Sequence, residues 1–225
     1  EDPTDLAQRS VYMDHALQQG DVRGDLLALQ LARLDSGEPA TERERRLVEA
    51  NLDALLGGLA DVVDAGAPVR FERGFPTEVF LNPYTGARVR KLQEAEGHPD
   101  WNTVERMHWG EAVKGLDPSV LNGLVELDGV SGRWVKAFFG TQRLPRLERL
   151  GFTGGLPAPL LPILKTMGLR ALRITGFRSG LFKQKTLLDW AELGLDTVET
   201  LGLPEQPAVL GLTGDADAWL DALPK

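Results

Sequence analysis

The sequence predicts an α/β protein in which an N-terminal helical block caps a solenoid built from a parallel sheet with outer helices. Three observations carry that expectation. Residues 1–66 place Leu, Val and Met at helical spacing and interrupt them with Gly and Asp. From residue 100 onward a six-residue template, L-x-x-L-x-L, recurs in five copies. Helix-like segments lie between the copies, and strand-then-helix repetition gives a parallel sheet with helices on its outer face.

The elements follow in order. Asp2-Pro3-Thr4-Asp5 is an N-cap and first-turn cluster, Leu6, Met13 and Leu17 supply a helical stripe, and Gly20 ends it. Val22 to Leu34 repeats Leu at 26, 27, 29, 31 and 34 and stops at Asp35-Ser36-Gly37. Gly24 after Arg23 fits a tight turn into this second helix. Thr41-Glu42-Arg43-Glu44 opens a third helix with an apolar face from Leu47 to Val63, and Gly57-Gly58 kinks or splits it. Phe75–Leu81 is a first strand that joins the helices to the sheet, and Asn82–Pro99 reads as a polar connector with a basic cluster at Arg88, Arg90 and Lys91.

Residues Asp2-Pro3, Arg9, Val11-Tyr12, Asp14, Gly20-Asp21, Arg23-Gly24 and Leu29-Gln30 carry a resemblance, continued by Arg43-Glu44, Asn51, Leu56-Gly57 and Phe71–Phe75. Over residues 1–81 the chain resembles the bacterial repeat-companion domain. It departs from that pattern at Asp14-His15, where the family has Asp-Trp, and at Asp25-Leu26, where it has Glu-Phe. The resemblance implies that repeats follow, that the chain begins inside the first helix, and no known reaction.

The template copies begin at Val104, Leu124, Leu147, Leu169 and Val198. Their starts are 20, 23, 22 and 29 residues apart, which implies an insertion around 176–185. The second copy is degraded, with Gly129 at the sixth position. Asp117–Asn122, Val135–Phe139, Pro157–Thr166 and Lys185–Leu193 are the intervening helix-like pieces. Residues 82–225 thus resemble an irregular leucine-rich repeat array. The family's asparagine position is absent, and Thr153-Gly154 and Thr175-Gly176 follow the strands instead. Val209–Leu212 as a short strand and Asp215–Leu223 as a helix would cap the end.

Composition narrows the function. There is no Cys among the 225 residues, which excludes a disulfide scaffold, a Cys-ligated metal and a cysteine nucleophile. No H-E-x-x-H, G-x-S-x-G or Walker loop is present, so no metal site and no cofactor is expected. The net charge of -8 argues against a nucleic-acid or anionic-membrane partner. No apolar run reaches the length of a membrane span, and a cytoplasmic location is expected. The charge is uneven: residues 1–66 hold 14 acidic and 6 basic side chains, whereas 67–225 hold 19 of each.

In the template, positions four and six face the core and positions three and five face out from a concave sheet. Position three reads Arg106, Glu126, Arg149, Ala171, Thr200, and position five reads His108, Asp128, Gly151, Arg173, Gly202. Arg106, His108, Glu126, Asp128, Arg149, Arg173 and Thr200 are therefore the candidate residues for gripping a partner protein, with Gly151 and Gly202 leaving room for its approach. The expected function is a non-catalytic protein-interaction module. The alternative is a small-molecule sensor or enzyme built on Tyr12, Asp14 and Arg23, residues that otherwise form a structural bracket between helices.

Overall fold

The computed structural model describes residues 6–34, 38–64, 66–81, 86–109, 118–131, 144–153, 164, 166–175 and 200–202. It is a mixed α/β fold whose sheet is mostly parallel.

Helices α1 (Leu6–Gln19) and α2 (Val22–Leu34) form a tight hairpin. The Gly20 amide donates to the Leu17 carbonyl and the Asp21 amide to the Ala16 carbonyl, the paired closing bonds of a Schellman stop. Asp21 then caps α2 by accepting from the Arg23 amide at 2.9 Å. Gly24 lies within α2 and does not make the turn; a Cβ there would stand 2.7 Å from the Leu17 backbone nitrogen, so the glycine lets the two helices touch. Thr41 caps α3 (Glu42–Ala50) through the Glu44 amide. The chain breaks at Asn51, continues as α4 (Leu52–Leu56), and ends in a 3-10 turn at Gly57–Leu59.

Two elements differ from the sequence expectation. Phe75–Leu81 is not the first strand: β1 (Arg70–Glu72) precedes it and pairs antiparallel with β2 (Phe75–Leu81). A strand of three residues, two of them charged, carries almost no alternation signal. Arg73 and Gly74, both with positive φ (53° and 81°), make the two-residue turn between them, a conformation that suits the right-handed twist of a hairpin. The segment read as a polar connector contains α5 (Gly86–Ala95), which buries Leu92 and Ala95 on one stripe.

The remaining strands are β3 (Arg106–Trp109), β4 (Glu126–Ser131), β5 (Arg149–Thr153), β6 (Ala171–Thr175) and β7 (Thr200–Gly202). All seven stand in chain order, and β2 to β7 are parallel. Template position four forms one unbroken row, Val79, Met107, Leu127, Leu150, Leu172 and Leu201. Position six needs a correction. Gly129 does not occupy it; a bulge after Leu127 makes Gly129 the extra residue and brings Val130 into register with Phe152. The second copy therefore keeps an apolar side chain in the row, one residue late.

One apolar core runs from Leu26, Leu55, Leu56 and Leu59 of the helices through the sheet to Leu172. Each fully buried Leu, Phe or Met contributes roughly 1.5–3 kcal/mol. Between β3 and β4 the expected helix is a 3-10 turn, Pro118–Leu121. The pieces at 135–139 and 185–193, most of 157–166, the insertion at 176–185 and the C-terminal cap lie outside the described residues.

Candidate functional site

The polar face of the sheet is a consequence of strand alternation. Met107, Leu127, Leu150 and Leu172 at position four and Trp109 and Phe152 at position six are buried, so the side chains at three and five of these strands stand on the opposite face. Register places Glu78, Arg106, Glu126, Arg149 and Ala171 in one row, with the Thr200 backbone continuing it. A second row begins Phe80, His108, Asp128. Gly151 and Arg173 pair further along on β5 and β6.

Ion pairs link the rows. Arg106 lies between Glu78 at 3.2 Å and Glu72 at 3.7 Å. His108 lies between Glu78 at 3.0 Å (Nε2) and Asp128 at 3.7 Å (Nδ1), and its ring stacks on Phe80 with centroids 3.9 Å apart and planes 5° off parallel. Arg149 reaches Glu126 at 3.3 Å, and Arg173 reaches Asp128 at 3.6 Å. That last pair spans a strand. Gly151 sits beneath it, and a Cβ there would fall on the Asp128 carboxylate. The room at Gly151, expected to admit a partner, is filled by Asp128 on its way to Arg173.

The electrostatics follow from this geometry. Asp128, and then Glu78, hold the His108 pKa above its ordinary value despite partial burial. His108, the Gly129 amide and Arg173 hold the Asp128 carboxyl below its ordinary value, again against partial burial. Four carboxylates (Glu72, Glu78, Glu126, Asp128) face Arg70, Arg106, Arg149, Arg173 and His108, so this set is neutral when the imidazole is neutral and carries one positive charge when it is protonated. Exposure is graded along it. The Glu126 and Asp128 side chains are 29% and 21% exposed, whereas Arg149 and Arg173 are 56% and 65% exposed.

The helical candidates separate. Arg23 does not meet Asp14, which is exposed. It donates to Asp100 at 2.7 Å and to the Leu55 carbonyl at 3.2 Å. Burial opposes the Arg23 charge, but Asp100 and the Tyr12 hydroxyl outweigh it and hold the pKa above its ordinary value. Gly57 and Gly58 leave the space in which Arg23, Asp100 and His98 meet. The Tyr12 ring packs on Phe75 at 5.3 Å, and Arg9 lies over the Phe75 ring. A second bracket centres on buried Gln30, which donates to Glu44 and the Phe71 carbonyl and accepts from the Gly74 amide. Arg33 closes on Glu44 at 2.8 Å. Many residues that carry the resemblance thus join the helices to the β1–β2 hairpin. Beside Tyr12, a shallow open depression is lined by Ala7, Gln8, Val11 and His15.

No family model matches this chain, and no curated protein or solved structure is significantly similar to it. Among the described residues, no helix is long and apolar enough to cross a membrane. No group of three or more His, Asp or Glu among them is placed to hold a metal ion.

Sequence reasoning missed Glu72, Glu78, Phe80 and Asp100. The signal for two of them is present: Pro76-x-x-Val79-x-Leu81 is the same template one unit upstream, and its positions three and five are Glu78 and Phe80. Asp100 has no such pattern, because its meeting with Arg23 joins residues 77 apart in the chain.

Proposed function

We propose that this chain is a non-catalytic protein-interaction module, a helical companion domain followed by an irregular leucine-rich-repeat solenoid. The partner is another protein, docked on the polar face of the sheet. The observation that carries this reading is the pair Arg149 and Arg173, which make one contact each to Glu126 and Asp128 and keep more than half of each side chain exposed. Arginine in such a setting is well suited to interface hot spots. The unbroken position-four row supports the solenoid, because each copy then adds one strand to the last. Nothing comparable favours a small-molecule site at Tyr12, Asp14 and Arg23, since Arg23 is already engaged by Asp100 and a carbonyl.

The test is capture of partners by wild-type protein and by an Arg149→Glu/Arg173→Glu variant, with quantitative mass spectrometry. Arg106 stays unchanged, because it is the arginine that pairs with Glu78. The expected outcome is loss of the captured partners from the variant by about tenfold or more. Undiminished capture of every partner by the variant rejects the reading.

A further inference from the structure

We infer that the occupant of this face is an acidic, extended segment of the partner protein, docked by carboxylates on Arg149 and Arg173. The inference rests on the interaction reading above and specifies its ligand class.

Geometry sets the spacing. Arg149 is in register with Ala171, and Arg173 with Gly151, so the two arginines stand on adjacent strands offset by two residues. At ~4.8 Å between strands and ~3.3 Å per residue, such parallel diagonal neighbours are about 8 Å apart at the backbone. In an extended peptide, side chains at i and i+2 lie on one face about 7 Å apart. Carboxylates at alternate positions of an extended segment therefore match the backbone spacing of the two arginines. Ala171 beside Arg149 adds no bulk above the sheet.

Charge complementarity selects acid over base. An approaching partner meets the exposed arginines before the more covered carboxylates beneath them. When Arg173 turns to a partner, Asp128 retains His108 and the Gly129 amide, so no buried carboxylate is left alone. The acidic helical block does not forbid this. It packs on the β1–β2 end, through Gln30 to Phe71 and Gly74 and Tyr12 to Phe75. Strand β5 is three strands beyond β2, about 14 Å away at ~4.8 Å per strand. That exceeds the Debye length of about 8 Å at physiological salt.

The test is fluorescence anisotropy on the full chain with three labelled probes: a dodecapeptide of alternating Glu and Ser, the matching Gln–Ser peptide, and an oligothymidylate of similar length. The Glu–Ser peptide is expected to bind, the Gln–Ser peptide to bind at least about tenfold more weakly, and Arg149→Glu/Arg173→Glu to abolish the difference. Arg46→Glu, on the exposed face of α3, is expected to leave binding unchanged, and circular dichroism checks that both variants fold. Equal binding of the two peptides overturns the inference, as does equal loss in Arg46→Glu. Tighter, arginine-dependent binding of oligothymidylate also overturns it, in favour of a nucleic acid. If partner capture needs Arg149 and Arg173 while the peptides do not differ, the acidic ligand class fails and the interaction reading stands. If capture is also indifferent to both arginines, the two fail together.

Discussion

His108 has a carboxylate facing each ring nitrogen and an aromatic ring beneath it, and this arrangement fixes the direction of its pH dependence. Its folded-state pKa lies above the ordinary value of 6.5. The folded chain therefore holds a proton that the unfolded chain has already released. The stabilisation is fully present below the unfolded pKa and is lost as pH rises through the folded pKa. Asp128 behaves oppositely. Its pKa is lowered, so its contribution is present above the ordinary 3.8 and is lost as pH falls through the folded value. His108 is partly exposed, which limits its effect to about 1 kcal/mol or less. Urea midpoints measured from pH 5 to 9 should decline for the wild type above about pH 6.5. The decline should be shallower in His108→Gln, and an identical slope in the two proteins would show that the carboxylates do not act on this ring.

Strand β4 is constrained by its backbone at the bulge. Gly129 has φ +78°, and a Cβ there would stand 2.6 Å from the Trp109 carbonyl oxygen of the neighbouring strand. Two costs coincide, a left-handed backbone and a backbone clash. Gly129→Ala should cost about 2 kcal/mol or more in chemical denaturation. Asn tolerates the left-handed region better than Ala, but it brings the same Cβ. Gly129→Asn should therefore be nearly as damaging. Full stability in the Asn variant would mean that the close approach to Trp109 does not constrain the bulge. The bulge matters beyond itself, because it keeps Val130 in the apolar row, and Asp128 beside it reaches both His108 and Arg173.

At the scale of the molecule, the helical block and the sheet share one core, and two polar brackets tie them together. Gln30 and Glu44 hold the β1–β2 hairpin to α2 and α3, while Arg23 and Asp100 hold α2 to the turn before β3. Both Gln30 and Asp100 are buried, so exposing either bracket without its partner costs the desolvation of a polar group. The described parts should accordingly unfold together. Far-ultraviolet circular dichroism, which reports the helices, and the fluorescence of a Trp134→Phe/Trp190→Phe/Trp219→Phe variant, in which only Trp101 and Trp109 remain, should give coincident urea transitions. Two separated transitions would mean that the helices and the sheet are independent units.

The sequence by itself determined the helical block, the mixed α/β class, the parallel strands at the template copies, and the face on which Arg106, His108, Glu126, Asp128, Arg149 and Arg173 stand. Those features follow from local periodicity: a repeat of 3.6 or of 2 in apolar residues states which way each side chain points. The tertiary structure alone decided who meets whom. Arg23 pairs with Asp100 rather than Asp14, Asp128 fills the gap at Gly151, and Val130 replaces Gly129 in the core row. It also supplied β1 and α5, too short or too polar to announce themselves. The physical reason is common to all of these. Periodicity fixes the direction of a side chain, whereas a contact between residues distant in the chain depends on register, bulges and the packing of whole elements, which no local pattern encodes.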